Sequence, residues 1–361
     1  MNCAIKVFKS FVIMGLLMSL FPSLSFAQYV RTDLVSNQEG VAPNTDQHLV
    51  NAWGLTQLDT SPFWVSDNGT GFSTLYTGTG QQKPLFVSIP PAPNSAEGTP
   101  GMPTGTVGNI SPKPHDFTIR EQGKSGRSLF MFATLDGTIS GWNPTVDGIS
   151  DTGASHATIA ADRSKVGAVY SGLTIATETD GQTFLYAADD GQNRRVDMFD
   201  GGFNLVKSFN DPAIPPDFAP YGIQTINGDI WVTYTSLTNA PGGFVDVFHS
   251  DGRLKTHLAV HGPLNSPWGL AQAPADFGTM SGAILVSNNV PQGEINAFDP
   301  STGEFLGPLQ DASGQPIIID NVWAIQFGHD GGPGTAHNQL FFTAGPDNYG
   351  NGLLGVITVA P

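Results

Sequence analysis

Short runs of β-branched and aromatic residues alternate with polar turns along almost the whole chain, and stretches with helical periodicity are nearly absent. Asp-Gly, Asn-Gly and Pro-Ser-Thr-Gly punctuate these runs as turn signals, which predicts many short antiparallel strands. The runs also repeat. Asn51-Ala52-Trp53-Gly54-Leu55 returns as Ser266-Pro267-Trp268-Gly269-Leu270 and, loosened, as Asn321-Val322-Trp323-Ala324-Ile325. Weaker copies are Asp116-Phe117-Thr118-Ile119, Ser171-Gly172-Leu173-Thr174-Ile175 and Pro220-Tyr221-Gly222-Ile223. Each is read as the innermost strand of one unit, and a spacing of roughly 45–65 residues suits a four-stranded blade with loop insertions.

Behind each start lies a hydrophobic second strand with a polar tip: Phe63 to Asn68, Leu129 to Asp136, Phe184 to Asp190, Ile230 to Ser236, Ile284 to Asn289 and Leu340 to Asp347. Third strands ending in turns follow, as at Arg195 to Gly201, Phe244 to Gly252 and Glu294 to Gly303. The last unit runs out near Leu353 to Val359, one strand short, while Tyr29 to Val35 is strand-like and unassigned. Pairing the two would close a ring and leave no open edge. The expected fold is therefore all-β, a six-bladed β-propeller of four-stranded antiparallel blades closed by the N-terminal strand. Pro90 to Pro114 reads as a long surface loop between the first two blades.

The start of the chain has a different pattern. Lys6 and Lys9 precede the apolar run Phe11 to Leu20, and Ser25-Phe26-Ala27 supplies small residues before Gln28, the pattern of a secretory signal peptide over 1–27 cut after Ala27. The run is about 10 residues long, too short for a bilayer core that needs roughly 20. The expected product is one propeller domain over 28–361, secreted to the periplasm or beyond the cell, with no membrane insertion. The single cysteine, Cys3, lies in the leader, so no disulfide is expected. Losing Lys6 and Lys9 takes the formal charge of −16 to about −18, which repels nucleic acids and anionic lipid surfaces and leaves cations and neutral or basic partners open.

Phe184 to Asp200 (FLYAADDGQNRRVDMFD) resembles the blade of NHL-type propellers, and Ser266 to Gln272 (SPWGLAQ) resembles their innermost strand. The segments YVRTDLVSNQEGVAPNTDQHLVNAWGL and FWVSDNGTGFSTLYTGTG resemble an uncharacterised bacterial family of secreted, propeller-like proteins, a resemblance that implies a fold and no activity.

In a propeller the innermost strand starts on the face to which the turn after the second strand returns. Strand starts and polar tips therefore gather at one channel mouth. The ligand-binding candidates on this face are Asn51, Asn68, His115, Asp116, Tyr221, Asn289 and Asp320, with Asp67, Asp189 and Asn288 as metal candidates. Such a ring of carboxylate and amide oxygens is hard-donor chemistry suited to calcium. The bland alternative is that the tip aspartates bind the amides of their own turns. Calcium-dependent lactonases of the gluconolactonase type carry an Asn in the Pro-Asn-Gly start, where this chain has Tyr221 and Trp268, which cannot coordinate an ion. Trp53, Trp268 and Trp323 suit inter-blade packing or a carbohydrate-stacking platform.

No nucleophile elbow, zinc-protease helix or phosphate loop is present, and no catalytic residue is assigned. Two functions remain: a monomeric binding or scaffold module for a protein, peptide or glycan, and a metal-dependent hydrolase or lyase at the channel mouth. The fold hosts both.

Overall fold

The computed structural model describes residues 28–361; the leader expected at 1–27 lies outside the described residues. Six antiparallel sheets form the blades of a closed ring. Their inner strands are Ala52–Thr56, Pro103–Gly108, Tyr170–Thr177, Phe218–Ile226, Pro267–Gln272 and Val322–Phe327. In each blade the first residue of the inner strand pairs with the end of the second strand, as in Ala52 with Asp67, Tyr170 with Asp189 and Pro267 with Asn288. That register brings starts and tips to one end of the ring.

Closure is made by the N-terminal strand, Tyr29–Ser36, antiparallel to Leu353–Val359 from Tyr29↔Val359 to Ser36↔Leu353. Tyr29 is buried there, and its hydroxyl donates to the Phe277 carbonyl at 2.9 Å, tying the clasp to blade 5. Two additions extend the expected pattern: Ala154–His156 joins the outer edge of blade 1 in parallel, and Asn44–Thr45 pairs in parallel with the clasp strand.

The core is divided among the seams. One buried apolar cluster fills each junction, for example Tyr186, Val196, Met198, Ile223, Val232 and Phe248 between blades 3 and 4. Aromatic pairs tighten others, such as Trp64 stacked on Phe130 at 4.1 Å between blades 1 and 2. Each such side chain contributes about 1.5–3 kcal/mol of burial.

Around the channel the inner strands are too close for side chains. At Gly54, Gly105, Gly172, Gly222 and Gly269 an added Cβ would press on the backbone of the next blade's inner strand, and Ala324 completes the ring of six small residues. This ring corrects the expected start of blade 2. The inner strand is Pro103–Gly108, inside the stretch read as a loop, because Pro103-Thr104-Gly105-Thr106 keeps the small residue but lacks a large apolar neighbour. Phe117 and Ile119 are buried, which mimicked an inner strand, but Thr118–Glu121 forms a separate hairpin with Lys124–Arg127 over the 2/3 seam.

Candidate functional site

The residue preceding each small position forms a second ring of six: Trp53, Thr104, Ser171, Tyr221, Trp268 and Trp323. The four aromatics turn inward and meet over the channel. Trp53 stacks on Trp323 with centroids 3.6 Å apart, Trp268 meets Trp323 edge-on at 5.9 Å, and Tyr221 reaches across to Trp53 at 6.4 Å and Trp323 at 5.8 Å. Tyr349 adds a fifth ring, 5.6 Å from Trp323. Polar anchors fix the layer: Trp323 Nε1 donates to Asn51 Oδ1 at 2.8 Å, and Trp268 Nε1 donates across the channel to the Ser171 carbonyl at 3.1 Å. The tryptophans pack against one another across blades and together plug the mouth.

The polar candidates around this plug are held by local bonds. Asn51, in left-handed backbone at φ 48°, also donates from Nδ2 to Asn68 Oδ1, and Asn68 donates to the Pro103 carbonyl. Asn289 accepts from the Tyr349 hydroxyl at 2.9 Å, and Asp320 accepts from the backbone amides of Gln292 and Asp347. His115 is exposed and Asp116 accepts from the Ser111 hydroxyl at 2.6 Å. Both belong to the segment leading into the hairpin, so the structure places them away from the inner-strand starts with which the sequence had grouped them.

The three metal candidates stand on blades 1, 3 and 5, each bonded within its own surroundings. Asp189 accepts from the amides of Val169 and Gly191 and from Asn193 Nδ2 at 2.8–3.0 Å, the self-satisfied turn. Asn288 accepts from the Asn265 amide and donates to the Pro263 carbonyl. Asp67 is fully buried, takes the Thr74 hydroxyl at 2.8 Å on one oxygen and leaves the other without a partner. Burial pushes its carboxyl well above the usual carboxylate range, favouring the protonated form. Among the described residues, groups of three acidic or histidine ligands occur at Glu121–Asp147–His156 and Asp211–Asp246–His257, neither of which includes these tips.

Beside the plug, over blades 2 to 4, lies an open cleft of about 720 Å³ lined by Asp136, Lys165, Asp190, Gln192, Arg194 and Leu237. It borders the aromatic layer, since Leu135 packs against that cluster and Asp190 acts electrostatically on Tyr221. Its far wall is the loop after blade 1, pinned where the Ala92 amide donates to Asp136 Oδ2 at 2.5 Å. Strand alternation turns Asp189 into its own loop and leaves its neighbour Asp190 to line the cleft. Burial, reinforced by Asp189, raises the Asp190 carboxyl to about 7. Sequence reasoning placed Asp190 on this face without selecting it, although the doubled Asp at the strand end was the available signal.

Comparison with known proteins agrees with the fold. A glucose dehydrogenase structure aligns with 92% of this chain and all of its own at 13% identity and a TM-score of 0.53. A gluconolactonase from Xanthomonas campestris aligns over 87% of each chain at 11% identity and a TM-score of 0.51. Identities this low establish the shared propeller alone. No family model matches the chain. Sequence relatives are found among viral proteins, where the resemblance had pointed to bacteria. Uncharacterized protein L690 of Acanthamoeba polyphaga mimivirus is 30% identical over 352 residues, 92% of this chain and 87% of its own, and the chain belongs to the family of that protein.

Proposed function

We propose that the chain is an exported binding module that holds a segment of protein, peptide or glycan in the cleft over blades 2 to 4. The observation that carries this reading is a cleft of about 720 Å³ with both charge signs on its walls, beside a channel mouth sealed by five aromatic rings. An open groove that mixes apolar surface with charged side chains suits an extended ligand better than a small enclosed substrate. Lys165 and Arg194 offer cationic donors on a strongly acidic protein, while Asp136 and Asp190 offer acceptors. The test is binding of the purified protein to peptide and glycan arrays, followed by affinity measurement for the best binder. The double variant Lys165→Glu, Leu237→Arg should weaken that binding at least tenfold. Unchanged affinity in the variant, or no binder at all, would reject the reading.

A second reading, a hydrolase or lyase acting in the same cleft, is favoured by Asp190 alone. A carboxyl titrating at about 7 matches what a general acid or base needs near neutral pH. Turnover of a lactone, ester or glycoside that Asp190→Asn abolishes while leaving ligand affinity intact would establish it.

A further inference from the structure

A second cluster lies outside the channel and the cleft, in the outer half of blade 4. Asp246 is the third residue of the strand Phe244–Phe248, His257 faces it from the edge strand Leu254–Val260, and Asp211 comes from the loop leading into the blade. His257 Nδ1 is 2.9 Å from Asp246 Oδ1 and 3.2 Å from Asp211 Oδ2. Asp246 and Asp211 are almost fully buried, at 1% and 4% exposure, whereas about half of the His257 side chain reaches solvent.

The donors do not balance the acceptors. One Nδ1–H serves one oxygen, and Asp246 Oδ1 takes it; Asp211 Oδ2 and Asp246 Oδ2 are buried without a hydrogen-bond partner. Beside them lies the buried Tyr234 hydroxyl, a donor that can serve one of these oxygens and no more. Two adjoining buried carboxylates with one imidazole between them are costly unless a further positive charge or shared protons neutralise them.

The equivalent place in blade 3 shows that the fold does not require this. There Asp197 accepts from Arg195 Nε at 2.7 Å, the Ser208 hydroxyl at 2.6 Å and the Tyr170 hydroxyl at 2.9 Å. In blade 4 the matching positions are Phe244, His257 and Pro220. All three of blade 3's donors are replaced, and Asp211 adds a second carboxylate.

We propose that Asp211, Asp246 and His257 form a binding site for a borderline divalent cation of the zinc type. The ligand atoms lie within 4.8 Å of one another, close enough to share one ion. A mixed set of one imidazole and two carboxylates favours zinc over calcium, which prefers oxygen alone. The site adjoins a pocket of about 240 Å³ lined in part by Asp211, Pro215, Phe218 and Tyr234. A three-ligand ion there keeps a coordination position for water or a small oxygen ligand.

The test uses the whole exported chain, stripped with a chelator and titrated with zinc chloride. One ion per chain should bind, and a hundredfold excess over the dissociation constant should raise the melting temperature by about 4 °C. His257→Ala and Asp211→Asn should each weaken binding at least tenfold, and both should fold, since one alters a half-exposed ring and the other is isosteric. His156→Ala and His337→Ala should keep the full response, which separates this site from the other histidine–carboxylate contacts. X-ray absorption of the loaded protein should show one imidazole among oxygen ligands. The proposal fails if zinc leaves the melting temperature of the parent unchanged, or if the response survives in both His257→Ala and Asp211→Asn.

Discussion

Blades 3 and 4 carry an aspartate at the same place, the middle of the third strand, and treat it in opposite ways. Asp197 is enclosed by arginine, serine and tyrosine donors, whereas Asp246 has one histidine and a second acid for neighbours. Burial, the largest influence, raises the Asp246 carboxyl to about 6 despite His257, and the Asp246 interaction raises His257 above its ordinary value. The two blades share strand order and register, so the backbone does not make the difference. It comes from three substituted donor positions, which shows how a repeated scaffold can convert a structural aspartate into one available for another task.

The comparison presupposes a closed ring, so the largest effect should come from opening it. Deleting residues 28–36 removes the strand paired with Leu353–Val359 and buried Tyr29, and should lower the melting temperature by more than about 10 °C in a thermal scan. A truncated protein that melts like the parent would remove the basis for treating the blades as equivalent modules.

Within the ring, Asp197→Ala should cost about 3–5 kcal/mol in a denaturant titration, because it strands Arg195 and the Tyr170 hydroxyl beside a fully buried position. Asp246→Asn in the metal-free protein should go the other way. At pH 8 it removes a buried charge and should leave stability unchanged or raise it by about 1–2 kcal/mol. Equal losses at the two positions would abolish the contrast.

A further test is a pH slope. Asp246 at about 6 and Asp190 at about 7 both stand above the unfolded carboxylate value, so the native state keeps protons that the unfolded chain releases above pH 4. Stability of the metal-free protein should therefore decline as pH rises from about 4 to 7. His257, also raised, adds stability when protonated that is lost as pH rises through its folded value. The double variant Asp190→Asn, Asp246→Asn should flatten much of the slope in melting scans across pH.

The ring was legible because Trp-Gly-Leu, Tyr-Gly-Ile and their relatives combine a large residue that fills the mouth with a small one that admits the neighbouring blade. Blade 2 kept only the small residue, and the buried Phe117 and Ile119 drew the reading to a hairpin that packs over the seam instead. Tips and starts do share one end, as the register requires, but direction was invisible. Whether Asp189 or Asp190 lines the cleft depends on a one-residue alternation at the end of a strand. The blade 4 cluster escaped notice because Asp211, Asp246 and His257 lie on a loop and two strands, joined only by cross-strand pairing.

The clasp also fixes an order of events. Of the described strands, Tyr29–Ser36 comes first in the chain and its partner Leu353–Val359 comes last, so the earliest segment cannot find its place until the final one exists. The entropy of joining such distant ends grows only logarithmically with the loop between them, while contacts this non-local make assembly slow. Ring closure thus waits for the Leu353–Val359 strand, and until it happens the outer edge of that strand remains open to pairing with other chains.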